Sequence, residues 1–487
     1  MLFNSVSFLI FFPVVTALYF ALRAQHARVL LLLGASCAFY MAFVPSYILI
    51  LGFTIVVDYV AGILIARSTT HRGQFLLLSV VANVGMLAVF KYYGFLSENV
   101  VLAGRLFGAH LSPPILNIVL PIGLSFHTFQ AMSYTIEVYY GRQEPERNFL
   151  VYALYVMFYP QLVAGPIERP QNLLPQFRTW HQFDYGRVTS GLRRMAWGMF
   201  KKVVVADRLA SFVDFVYDNP RQYHGLMLIS ATVVFAFQIY LDFSAYSDIA
   251  LGAARVMGFE LMENFRTPYF SQTISEFWRR WHISLSTWFR DYVYIPLGGS
   301  RAGRRRQYRN LLVVFLLSGL WHGASWTFVI WGALHGTYLV AGQLTASVRV
   351  RLWRLLPFRE GDLFRRGLAT LTTFLLVTFA WIFFRARTLE TSTYVVQHLF
   401  TGLTGDLRAL MAGNLATAVP VPGLLPRLAL IALVVAVEGW GGAWNRLEAR
   451  IARAGTLWRY AVYLTLIYGT IFGSGGAAAQ QFIYFQF

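Results

Sequence analysis

Long apolar runs separated by short basic clusters set the pattern of this chain. The first covers about Leu2 to Leu22, and further runs cover Val29–Phe43, Tyr47–Ala66 and Phe75–Leu96. They do not alternate apolar and polar residues with the period of two that a membrane barrel strand needs. Most approach the length of about 20 residues at which an α-helix crosses a hydrocarbon core. Arg23, His26 and Arg28 follow the first run, and Arg67, His71 and Arg72 follow the third. The loop after the fourth run holds only Glu98, Arg105 and His110. Basic loops stay in the cytoplasm, so the alternation predicts an amino end on the outer, periplasmic side. A cleaved leader would carry its charges before the apolar core, so the first run reads as a retained span.

The pattern then loses regularity. Leu120-Pro121-Ile122-Gly123-Leu124-Ser125-Phe126-His127 puts a proline, a glycine and polar groups into an apolar segment, and Phe158–Pro170 repeats the theme. Broken helices at membrane depth require protein or a water-filled cavity to satisfy the freed backbone groups, so the two segments point to an internal cavity. Arg193 to Arg208 reads as an amphipathic stretch at the cytoplasmic surface. The run Leu226–Leu241 leads into Asp242, Ser244 and Asp248, with the carboxylates inside or at the edge of the bilayer. Pairing with Arg255 or with backbone donors is one reading of them, and lining a cavity is the other.

Phe277, Trp281, Leu285, Trp288 and Tyr292 recur at three- and four-residue spacing, which predicts one helix with an aromatic face at the membrane interface. Arg301–Arg309 and the arginines from Arg349 to Arg366, Arg359 among them, form two basic loops separated only by Asn310–Ser347. If both are cytoplasmic, the chain enters and returns within that length and carries His322 to the turn, at depth. Gly319 with Gly323, and Gly332 with Gly336, are small-xxx-small pairs that permit close helix contact. Later runs lie at Leu368–Phe384, Leu425–Val437 and Leu457–Phe472, before a last aromatic stretch, Phe482–Phe487.

Composition sharpens this picture. Of 487 residues, 57% are hydrophobic and 13% charged, against about 25% charged in a soluble domain, so the chain is an all-α polytopic membrane protein. At about 20 residues per span there is room for roughly 11–13 transmembrane helices, with re-entrant and interfacial helices around a central cavity. No linker divides the chain, which reads as a single domain over 1–487. The net charge of +19 lies in blocks between apolar runs, a topology signal that argues against nucleic acid. One cysteine, Cys37, excludes an internal disulfide and a cysteine metal site.

Among residues that could carry chemistry, His322 stands out because an ionisable group in an apolar segment is costly. A neutral imidazole in a low-dielectric cavity can take the proton of a hydroxyl while its oxygen attacks an acyl carbon. The alternative is a histidine that bonds a backbone carbonyl between helices. His282 lies among arginines on the aromatic helix, and His127 and His335 sit in apolar surroundings. No His-x-x-x-His or His-Glu spacing supports a metal, and no phosphate-binding loop or dinucleotide fingerprint occurs.

The segments Phe158–Pro170, Tyr240–Gly252, Asn264–Gly299 and Leu317–Trp326 resemble the membrane-bound O-acyltransferase superfamily. The resemblance is carried by Glu276-Phe277-Trp278-Arg279-Arg280-Trp281-His282 followed by Trp321-His322-Gly323. It is nearest to the branch of bacterial polysaccharide O-acetylation proteins, such as those acting on alginate, and more distant from the D-alanyl transfer protein of teichoic acid synthesis. It implies that about 264–336 is the catalytic region, with His322 as catalytic histidine and His282 at a second motif position that other branches often fill with asparagine. Asp242, Ser244, Trp321 and Trp326 become candidates for the cavity or the donor side. The resemblance further implies no bound cofactor, a cytoplasmic acyl thioester such as acetyl-CoA as donor, and placement in the bacterial inner membrane. It implies an acceptor hydroxyl outside, on a periplasmic acetyltransferase or on the glycan. A transporter or flippase for an acylated or lipid-linked precursor, or a structural subunit of an export complex, are the competing readings.

Overall fold

Every regular element among the described residues is a helix, as non-alternating apolar runs require. The structure, a computed structural model, describes residues 1–114, 120–301, 303–355, 362–414, 419, 423–442, 444–473 and 481–483. Arg359 and the end of the aromatic tail (484–487) lie outside the described residues. Four described helices are long and apolar enough to cross a membrane: Tyr47–Arg67, the continuous Arg72–Leu106, Gly225–Met257 and Leu363–Arg385. Val6–Ala21 is a shorter apolar helix. The chain is an all-helical membrane protein.

The helices group into two compact units. The first comprises Met1–Gly198, Tyr246–Met262 and Ala477–Gln486. It holds α1 (Val6–Ala21), α2 (Gln25–Met41), α3 (Tyr47–Arg67), α4 (Arg72–Leu87) and α5 (Tyr93–Leu106), the last two joined by a π-turn at Ala88–Tyr92. After these come α6 (Leu124–Tyr139), α7 (Phe149–Met157), α8 (Pro170–Arg178) and most of α9 (Tyr185–Phe200). A buried polar cluster ties α3, α4 and α6 together: Asp58 accepts from Ser79 at 2.5 Å and from Asn83 at 2.8 Å, and Ser79 meets Thr135 at 2.9 Å. The interrupted segments pack on each other. Gly123, at φ 78°, starts α6, and a Cβ there would lie 3.1 Å from the Leu162 and Val163 backbone.

The second unit comprises Met199–Ala245 and Glu263–Gly476, with Phe487. It begins with a π-turn at Lys201–Ala206 and α10 (Asp207–Tyr217), and it holds most of α11 (Gly225–Met257), whose end belongs to the first unit. Next come α12 (Ile274–Arg280), α13 (Ile283–Phe289), α14 (Arg304–His322), α15 (Trp326–Leu344), α16 (Ala346–Leu355) and α17 (Leu363–Arg385). The rest are α18 (Leu389–His398), α19 (Leu403–Met411), α20 (Leu424–Gly441), α21 (Trp444–Arg453) and α22 (Thr456–Gly473).

α14 and α15 form the expected hairpin. A Cβ at Gly319 would sit 2.2 Å from the Phe328 carbonyl oxygen, and one at Gly332 would sit 2.2 Å from that of Phe315. Only glycine permits this approach of two backbones. Gly323 lies past the end of α14, where a Cβ would collide with the Phe328 ring at 2.0 Å. Ser325 then caps α15 by accepting the Thr327 N–H. His322 is the last residue of α14. At 1.5 Å per residue it stands about 20 Å along the helix from Arg309.

Two expectations change. The aromatic helix expected over 277–292 is broken at Trp281–His282 into α12 and α13, because His282 takes a left-handed conformation, φ 42° and ψ 56°. The basic stretch Arg193–Arg208 is not a solvated surface: Arg194, Lys201 and Lys202 are buried. Their partners lie on α11, which explains the intramembrane carboxylates. Arg194 bonds Asp248 at 2.8 Å within the first unit, where Arg255 lies 3.6 Å from Glu260. Lys202 bonds Asp242 at 2.6 Å within the second.

Candidate active site

Within the second unit, the local sequence brings the α12–α13 break and the α14–α15 turn together. Thr273 caps α12 by accepting the Glu276 N–H at 3.1 Å, and Glu276 in turn accepts the Gln272 N–H at 2.8 Å, a form of capping box. α12 runs for seven residues and stops at His282, which opens α13 without capping it through its own side chain. A left-handed non-glycine residue costs of order 1–3 kcal/mol and persists only where its surroundings over-determine it, most often at functional sites. His282 is 0% exposed and His322 is 4% exposed.

The two imidazole rings lie 6.4 Å apart between centres, tilted at 54° to each other. That is longer than the roughly 5 Å between the centres of two directly hydrogen-bonded imidazoles. Aromatic rings close the surroundings. Around His322 stand Trp321 at 4.9 Å, Trp331 at 5.0 Å and Phe384 at 5.2 Å. Against His282 stand Phe243 at 4.7 Å, edge-on, and Trp321 at 6.1 Å. Behind them, Trp381 contacts both Trp281 and Trp331, and its indole N–H donates to Tyr269. Such a shell excludes water and strengthens any polar interaction made inside it.

Of the other candidates, Trp321 joins the pair directly. Asp242 and Ser244 stand one step behind, flanking Phe243 on α11. Lys202 bonds Asp242 at 2.6 Å and Asp207 at 2.8 Å, while Lys201 donates to Ser244 at 2.8 Å. These bonds fix the α11 backbone on both sides of the ring that packs on His282. Trp326 opens α15 and is about half exposed. His335 lies inside the hairpin and accepts the Trp278 indole N–H at Nδ1, 3.3 Å, so it serves packing. His127 belongs to the first unit, buried on α6. Among the described residues no cluster of metal-ligating side chains occurs.

Sequence reasoning missed Lys201, Lys202, Phe243, Trp331 and Phe384. Two lysines directly before Val203-Val204-Val205-Ala206, with an apolar run to follow, were the available sign for the first pair. The aromatic residues carry no such sign, since they resemble every other lipid-facing ring in the chain.

Comparisons with known proteins meet this geometry. A model of the MBOAT, membrane-bound O-acyltransferase, family matches residues 140–361, which include both histidines. The protein named "Probable alginate O-acetylase AlgI" in Pseudomonas aeruginosa is 40% identical over 426 residues, covering 85% of this chain and 78% of that one. This chain belongs to the membrane-bound O-acyltransferase family. As a family member it is a multi-pass membrane enzyme that transfers acyl groups to oxygen. The "Peptidoglycan O-acetyltransferase" of Helicobacter pylori is 35% identical over 438 residues, covering 83% of this chain and 80% of the relative. The "Teichoic acid D-alanyltransferase" of Bacillus subtilis is a more distant family member, 26% identical over 294 residues, 58% of this chain and 71% of its own.

Proposed function

We propose that this acyltransferase moves an acetyl group from a cytoplasmic thioester, such as acetyl-CoA, across the inner membrane for O-acetylation of an extracellular polysaccharide. The observation that carries this reading is the buried pair His282–His322, set at the tip of a hairpin whose other end is arginine-rich. The relatives named for alginate and peptidoglycan O-acetylation point to acetyl as the acyl group and to a glycan as its destination. The acceptor hydroxyl belongs to the glycan or to a periplasmic acetyltransferase working with this protein.

In this reading His322 is the general base. Its neutral imidazole takes the proton from the acceptor hydroxyl as that oxygen bonds to the acetyl carbon. The carbon–sulfur bond breaks, and the proton passes to the departing thiolate, giving an O-acetyl ester and a free thiol. His282, across the gap, donates a hydrogen bond to the developing oxyanion or holds the reacting oxygen in line. The aromatic shell keeps water from competing for the acyl carbon.

The test is the O-acetyl content of surface glycan in cells carrying His322→Ala, with the variant's membrane level checked by blot. Loss of acetate at a normal protein level supports the transfer role. Retained acetate removes His322 from the chemistry. Purified protein incubated with acetyl-CoA and a polysaccharide acceptor should release thiol, and a rate that is the same in the variant would exclude this donor step.

A further inference from the structure

We propose that Asn264 is a positioning residue that holds His282 in its left-handed conformation and so sets the imidazole against His322. The inference rests on the reading of His282 as part of the transfer site. Asn264 is buried, 1% exposed, in the extended segment that precedes α12. Its backbone carbonyl accepts the Ile283 N–H at 3.0 Å, and its side-chain Oδ1 accepts both the Ser284 hydroxyl at 2.7 Å and the Ser284 N–H at 3.3 Å. Two residues on, the Arg266 N–H donates to the Arg280 carbonyl at 3.0 Å. Residues 280, 283 and 284 are thus pinned to one short segment, and Trp281 and His282 must complete the bend between them.

The arrangement solves a capping problem. The first N–H groups of a helix lack intrahelical partners, and the residue at the N-cap usually supplies a side-chain oxygen. His282 holds that position on α13 but makes no capping bond with its side chain. Asn264 supplies the acceptor from outside the helix, so the cap of α13 does not depend on the imidazole. Phe265 extends the support: its ring packs on Trp281 at 5.2 Å and on Phe243 at 5.0 Å, and Phe243 is the ring against His282.

The experiment compares Asn264→Ala, Asn264→Asp and Ser284→Ala with the parent protein in detergent. One readout is kcat and KM for thiol release from acetyl-CoA in the presence of a polysaccharide acceptor. The other is modification of His282 by diethyl pyrocarbonate, mapped by mass spectrometry, with the equally buried His335 as internal control. Asn264→Ala is expected to lower kcat about tenfold or more at nearly constant KM and to raise labelling of His282 but not of His335. Asn264→Asp, which keeps the acceptor oxygen, is expected to stay near the parent in both. Equal rises at His282 and His335 would mean general loosening and overturn the proposal, as would unchanged labelling. A selective rise with unchanged kcat would uphold the positioning role and remove His282 from catalysis. Should Asn264→Ala fail to fold, Ser284→Ala carries the same comparison, because it deletes the 2.7 Å bond to Asn264 and keeps the asparagine.

Discussion

Replacing His322 by alanine removes the group assigned as proton acceptor while leaving the hairpin's glycine contacts untouched. The expected result is a fall in transfer of about 10²–10⁴-fold, the usual weight of a general base, at an unchanged melting temperature. His282 behaves differently because its backbone is special. Asparagine tolerates the left-handed region better than other non-glycine residues, so His282→Asn should fold like the parent and yet transfer more slowly. His282→Val, with a branched side chain at φ 42°, should also lose stability by about 1–3 kcal/mol in thermal unfolding. His322 was legible in the sequence because a polar group stands alone in an apolar run. The break at His282 was not, since nothing in a run of aromatic and basic residues records a positive φ. That conformation is imposed by Asn264 and Arg266, which are distant from it along the chain.

At the level of elements, the hairpin and the buried ion pairs carry the sharpest expectations. Gly332→Leu places a side chain where a single Cβ would already lie 2.2 Å from a carbonyl oxygen. The variant should fail to accumulate in the membrane, and blotting against the parent checks this. Arg194 and Asp248 are both buried and bonded at 2.8 Å in the first unit. Arg194→Met should destabilise by about 3–5 kcal/mol, because it strands a buried carboxylate, and adding Asp248→Leu should recover most of the loss. Thermal shift of the single and double variants reads the difference. The hairpin was predictable from basic loops and paired glycines. The inward turn of Arg194, Lys201 and Lys202 was not, because their partners on α11 are remote in sequence and basic clusters usually mark a surface.

For the whole molecule, the loop charges predict the topology. In a Cys37→Ser background, single cysteines placed at Arg305 and Arg366 should react with impermeant maleimide only from the cytoplasmic side. A cysteine at Arg387, beyond the far end of α17, should react only from outside. Reaction of Arg366 and Arg387 variants from one side would refute the crossing by α17. The family and the helical class could be read from residue patterns, because membrane solvation writes itself into sequence. The packing that builds the aromatic shell could not, because lipid and protein interior favour the same side chains. The position of His322 at the tip of α14 has a further consequence for substrate size. In the proposed reaction that helix works as a ruler: a donor held by its phosphates at the arginine-rich first turns of α14 presents its acyl carbon to the histidines through an arm of about 20 Å or more. A truncated thioester such as an acetylated cysteamine is too short to be held at one end and to react at the other. It should serve, if at all, only at concentrations far above those of the full-length donor.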